Sequence, residues 1–172
     1  MRLPLLVPIP PPGYARLRFT NRSNGLLSQL IDWATFGSAS HVEAVLSDGS
    51  IIAALMSEGV CHKPGDYDQV STEQTFVDVL MPRSGRDRWL RYLLSRVGRP
   101  YDFEAVAGEA LHINWRRRGG FICSMLQTLA LREAFVFPHP LSIPAHEITP
   151  RDLLLVLSAM PGVTIFETEK GN

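Results

Sequence analysis

Cys123 stands in the stretch GGFICSMLQTLAL, residues 119–131, where two glycines precede it and an apolar helical pattern follows. A cysteine in the first turn of a helix faces backbone N–H groups with no intrahelical partner. Those groups and the helix dipole stabilise a thiolate, and they also suit a developing oxyanion. Gly119 and Gly120 leave room for close approach of a substrate. Two readings of this stretch are open: a nucleophile, or a small buried residue packing with Ile122, Met125, Leu126 and Leu129. A thiolate nucleophile needs a base, and His41 is the best placed of the five histidines. It opens the apolar run HVEAVL directly after GSAS. On a strand, His41, Glu43 and Val45 share one face, while Val42, Ala44 and Leu46 share the other. A buried Glu43 would cost desolvation energy unless a group such as an imidazolium satisfied it. If that face is solvated, both residues are ordinary surface groups. Among the rest, His62 adjoins Cys61 in a turn-rich loop, His112 sits near Trp115, His139 lies between prolines and His146 precedes Glu147. Cys61, His62, His112 and Cys123 have no metal-ligand spacing, so neither a metal nor a cofactor is expected.

These residues need elements to hold them. ARLRFT at 15–20 alternates as a strand, with Leu17 and Phe19 opposite Arg16 and Arg18. Asn24 caps a predicted helix over 25–36 that Gly37 ends. Residues 41–46 and 50–55 are strands flanking the hairpin signal SDG. Residues 59–72 read as a loop around Pro64-Gly65, and 74–81 as a strand that stops at Pro82. A helix over 83–98 has Trp89, Leu90, Leu93, Leu94 and Val97 on its apolar face, ringed by arginines. RPYD makes a turn that runs into a short helix, and HINWRRRGG is a loop or ragged helix end. The Cys123 helix covers 122–134, and an irregular proline segment follows. Thr149 and Pro150 start a helix through 159, and a strand over 163–168 closes the chain. The order of helices and antiparallel strands gives an α+β class.

The 172 residues suit one domain with a sizeable core over 15–172, preceded by a proline-rich arm over 1–14. With 45% apolar and 20% charged residues, the composition excludes a disordered or fibrous chain. A net charge of zero gives no strong nucleic-acid signal. Three arginines at 116–118 and those of 83–99 nonetheless suit an anionic substrate or surface. No apolar run is long enough for a transmembrane segment, and the prolines of the arm argue against a signal peptide. Two cysteines are too few for a disulfide scaffold, and a reducing compartment is the expectation.

In this order the pieces resemble the circularly permuted branch of the papain-like, NlpC-type cysteine hydrolases. That branch includes YiiX- and YebB-like bacterial proteins and lecithin retinol acyltransferase. In it the histidine comes early, at a strand start, and the cysteine late, at a helix start. GLLSQLIDWATFGSASHVEAVLSDG resembles the opening helix, histidine strand and turn, and GRPYDF the tyrosine-aspartate turn. GGFICSMLQTLAL resembles the nucleophile segment, with its aromatic-x-Cys-Ser pattern, and SIPAHEITPRDLL the closing Thr-Pro helix. The likeness spans about residues 16–157 and is strongest to phage and bacterial proteins carrying an SHVE strand.

The resemblance implies a permuted papain-like fold, with a small antiparallel sheet against helices, Cys123 as nucleophile and His41 as general base. The orienting residue of relatives would fall near Ala53, which has no polar side chain. Glu43 is the substitute, about 6–7 Å from His41 along the strand; its alternative role is to bind a substrate amine. Tyr101 and Asp102 line the cleft or lock the loop, and Gly120 and Ser124 support the nucleophile. The implied function is hydrolysis of an amide bond in a peptide or peptidoglycan stem. The alternatives are a lipid ester hydrolase or acyltransferase, and a non-catalytic phage structural or accessory protein, or an inhibitor or immunity-type protein. The implied partners are a peptide, peptidoglycan or lipid-like acyl substrate and a phage structural or host protein. The implied location is cytoplasmic or virion-associated.

Overall fold

The alternation in ARLRFT sets the centre of the sheet. In the computed structural model, which describes residues 7–20, 39–67, 73–102 and 120–169, β1 (Tyr14–Thr20) is bordered by β2 (His41–Val45) and β5 (Glu73–Leu80). β3 (Ile51–Leu55), β4 (Gly59–Lys63) and β6 (Val163–Glu169) complete a six-stranded sheet of order β4-β3-β2-β1-β5-β6. Every pairing is antiparallel. Three helices are present among the described residues: α1 (Arg83–Arg96), α2 (Cys123–Glu133) and α3 (Pro150–Ser158). The fold is thus α+β. The helix expected over 25–36, the short helix after Asp102, His112 and the arginines at 116–118 lie outside the described residues.

The SDG turn between β2 and β3 forms as the sequence predicts. Gly49 takes the positive φ the turn demands, and the Asp48 carboxylate accepts from the Ser50 N–H and hydroxyl. One expectation fails here: 59–63 is a strand, not part of a loop. Gly59 and the Pro64-Gly65 pair read as punctuation, but pairing with β3 overrides local preference. Gly59 has its own reason: φ is +73°, and a Cβ there would come within 2.2 Å of the Arg99 carbonyl oxygen. The neighbouring Val60 N–H donates to that same carbonyl.

The period of two sorts side chains onto two faces. Leu17, Phe19, Val42, Ala44, Ile52, Ala54, Val77 and Val79 join one core cluster with residues of all three helices. α1 contributes Trp89 and Leu93; α2 contributes Met125, Leu126, Ala130 and Leu131; α3 contributes Leu153 and Leu157. The buried stripe of α1 is narrower than expected, because Leu90, Leu94 and Val97 are exposed. α3 begins with a full capping box, Thr149 with Asp152, and Pro150 in its first turn.

The opposite face is charged yet buried. Arg16 makes a two-pronged bond to Asp78 across β1 and β5, at 2.6 and 2.7 Å. It also donates to the Pro8 and Ile9 carbonyls, which fixes that stretch of the proline arm over the sheet. Next along β1, Arg18 stands opposite Glu43 of β2. Beyond Glu43, Ile51, Ala53 and Leu55 form a small second cluster with Val7, Cys61 and Tyr67. Among the described residues, no helix is long and apolar enough to cross a membrane.

Candidate active site

Two element starts meet at the site. Cys123 is the first residue of α2, and His41 is the first residue of β2. Ile122 is extended and the chain turns helical at Cys123, so the thiol sits where backbone N–H groups have no helical partner. α2 packs on β2 and β3, which brings its first turn to the end of β2 that begins with His41. The Gln127 side chain amide, one turn after Cys123, donates to the Ile52 carbonyl at 3.3 Å and ties the helix to β3.

Burial alone would raise the Cys123 pKa. The His41 charge and hydrogen bond, with the backbone N–H groups of Val42 and Ser124, outweigh it and lower the thiol below its ordinary value. Burial alone would lower the His41 pKa. The charge and hydrogen bond of Cys123, together with Glu43, reverse that and raise it from 6.5 to about 9. The two shifts reinforce one another, each group favouring the charged form of the other, in the direction of a thiolate–imidazolium pair.

Glu43 is fully buried, so the reading of this strand face as solvated does not hold. Its Oε2 lies 3.4 Å from His41 Nε2, an ion-pair contact rather than a well-formed hydrogen bond. The same oxygen accepts from the Tyr67 hydroxyl at 2.6 Å, and Oε1 accepts from the Arg18 guanidinium. Burial pushes the carboxyl pKa up, but the His41 contact, the Arg18 charge and the Tyr67 hydroxyl bring it down from 4.5 to about 2. Glu43 is thus ionised and committed to three protein partners.

The remaining expected residues hold the approach to α2. Tyr101 bridges to Phe121 in parallel fashion, the Asp102 N–H donates to the Phe121 carbonyl, and the Phe121 N–H donates to the Pro100 carbonyl. Both side chains are buried, so among the described contacts these residues lock the segment before the helix. Gly120 fits tightly within that lock, since a Cβ there would stand 2.9 Å from Asp102 Cβ. Ser124 is buried, and among the described residues its hydroxyl has no hydrogen-bond partner. Cys61 lies on β4 in the second cluster, and both cysteines are free thiols.

Sequence reasoning missed Arg18 and Tyr67. The signal for Arg18 was present: alternation in ARLRFT puts Arg18 on one face with Arg16, and antiparallel pairing sets it against Glu43. Tyr67 carried none, because it reaches Glu43 from the turn after β4.

No family model matches the chain, and no curated protein matches it. Among solved structures, the chain is similar to the metalloprotein YiiX from Escherichia coli O157:H7, of the family DUF1105. The TM-score is 0.50 at 16% identity, over 92% of this chain and 98% of that one. At that identity the likeness is one of fold.

Proposed function

We propose that the chain is a permuted papain-like cysteine hydrolase that cleaves an amide bond in a peptide or peptidoglycan stem. The observation that carries this reading is the meeting of Cys123, first residue of a helix, with His41, first residue of a strand, with Glu43 behind the imidazole; the shifts of the pair toward their charged forms agree with it. The sequence resemblance and the fold likeness to YiiX support it; the resemblance alone suggests the phage and bacterial proteins with an SHVE strand as the nearer group. The proline arm over 1–14 and one domain over 15–172 complete the organisation.

In the proposed step, the Cys123 thiolate attacks the carbonyl carbon and a C–S bond forms. The oxyanion is held by helix-start N–H groups, including that of Cys123. As the C–N bond breaks, imidazolium His41 gives its proton to the leaving amine. Neutral His41 then takes a proton from water, which attacks the thioester. The carboxylic acid product leaves and the thiolate–imidazolium pair is restored. Glu43 keeps the His41 ring oriented and stabilises its charge. The YiiX structure is named as that of a metalloprotein. Here no group of three His, Cys, Asp or Glu among the described residues is placed to hold a metal ion, and no step is assigned to one.

A second reading is a papain-like shell without turnover, in a phage structural or accessory role. It is favoured by the low exposure of the site, 6% for Cys123 and 7% for His41. The test is incubation of the protein with peptidoglycan stem peptides and with acyl esters, followed by intact mass. Amine release and an acyl adduct lost in Cys123→Ala support the amide hydrolase. Adducts from esters alone favour the lipid-ester reading, and no adduct from either class supports the shell.

A further inference from the structure

The position that would orient the histidine in relatives falls near Ala53, which is buried in the small apolar cluster with Ile51 and Leu55. What holds the orienting carboxylate here must therefore come from elsewhere. Glu43 is buried and two residues from His41 on one strand, and strand geometry alone does not select the rotamer that reaches the imidazole. Three contacts remove that freedom. Arg18, 1% exposed and directly across from Glu43 on β1, takes Oε1. Tyr67 takes Oε2. The Arg18 guanidinium in turn lies over the Tyr67 ring, 5.7 Å from its centroid. Arg18, Glu43 and Tyr67 thus close a ring that leaves the second edge of Oε2 facing His41 Nε2.

We propose that Arg18 and Tyr67 are positioning residues for the Cys123–His41 pair, acting through Glu43 and together replacing the orienting side chain absent at position 53. This inference rests on the cysteine hydrolase reading. A carboxylate oriented by two fixed donors stabilises the imidazolium at no reorganisation cost, whereas a free one would turn toward its nearest cation. A buried guanidinium also keeps Glu43 charged where burial alone would protonate it. Among the described residues, the charged and titratable groups acting on the site come from several elements. Arg18 comes from β1, His41 and Glu43 from β2, Tyr67 from the turn after β4, and Cys123 from α2.

The test measures iodoacetamide alkylation of Cys123 against pH, with Cys61 resolved by peptide mass spectrometry. It needs no substrate. Tyr67→Phe removes one hydroxyl and Arg18→Met removes the cation. Each is expected to move the midpoint of Cys123 alkylation upward by about one pH unit, about tenfold in thiolate at a fixed pH below it. The limiting rate at high pH should stay unchanged. Neither variant should move the midpoint further in a Glu43→Gln background, because both act through that carboxylate. If Arg18→Met does not fold, Tyr67→Phe alone carries the test. A low wild-type midpoint that Tyr67→Phe leaves in place overturns the positioning role and spares the pair. Equal shifts with and without Glu43 also overturn it. An ordinary thiol midpoint in the wild type overturns the pair and this role together.

Discussion

His41 Nε2 lies 3.4 Å from Glu43 Oε2, two residues apart on one strand and both buried. Strand geometry alone puts their Cα atoms about 6–7 Å apart, so the contact is made by side chains converging on one face. Glu43→Gln keeps the shape and removes the charge. The expected outcome is a lower His41 pKa, a higher Cys123 pKa and at least a tenfold slower alkylation of Cys123 near neutral pH, or about 1.4 kcal/mol. NMR titration of the His41 ring checks the first part, and alkylation rates check the second.

The pair also fixes a pH profile. His41 is raised to about 9 and Cys123 is lowered, so the thiolate–imidazolium form spans the interval between them. Hydrolysis should rise as Cys123 ionises and fall as His41 loses its proton near pH 9, since the leaving amine then finds no acid. Alkylation needs only the thiolate and should not fall on that limb. In His41→Ala, alkylation should follow an ordinary or raised thiol titration. Stopped rates over pH 5 to about 10 separate the two curves; a matching fall of alkylation near pH 9 would contradict the assignment.

How much of this was legible follows from what each residue depends on. Cys123 at a helix start and His41 at a strand start are local facts, written in GGFICSMLQ and in HVEAVL. The shared face of His41 and Glu43 follows from the period of two. Whether that face was buried did not follow, because burial is decided by Arg18 across the sheet and Tyr67 from a distant turn. β4 was hidden for a related reason: Gly59 and Pro64-Gly65 are turn residues, and only pairing with β3 makes a strand between them. On α1, the sequence marks Leu90 and Leu94 as apolar, but it cannot say that no neighbour covers them.

Acid should unfold the protein partly through Glu43. Its pKa is lowered from 4.5 to about 2 in the fold. A carboxyl with a depressed folded pKa contributes stability that is present above the unfolded value and lost as pH falls through the folded one. The window is therefore about pH 4.5 down to about pH 2, and the contribution is on the order of 3 kcal/mol. His41 has the opposite sign: raised above 6.5, its contribution is full below that value and lost as pH rises through about 9. Urea midpoints at pH 6 and pH 3 should differ by more in the wild type than in Glu43→Gln.

Asp78 is expected to matter for stability without touching the pair. It is the only carboxylate described against Arg16, whose guanidinium is buried and also stacks 4.8 Å from the Phe166 ring centroid. Asp78→Ala leaves that cation with carbonyls alone and should cost about 3–5 kcal/mol. Because Arg16 holds Pro8 and Ile9, proteolysis within the arm should accelerate as well. The alkylation midpoint of Cys123 in the folded variant should be that of the wild type.

Gly120 tests whether the segment before α2 must be locked for the thiolate to form. A methyl group there would meet Asp102 at 2.9 Å from its Cβ and 3.1 Å from its Cα. Backbone bonds on either side, Phe121 with Pro100 and Asp102 with Phe121, leave little room to give. Gly120→Ala should therefore destabilise the fold by about 1–3 kcal/mol. The strain must be relieved by shifting either Asp102 or the extended segment that leads into Cys123. If that segment shifts, the sulfur leaves the Val42 and Ser124 N–H groups that lower its pKa, and the alkylation midpoint rises together with the loss of stability. If Asp102 shifts instead, stability falls while the midpoint stays. Measuring both quantities on the one variant tells which side of the contact is the rigid one.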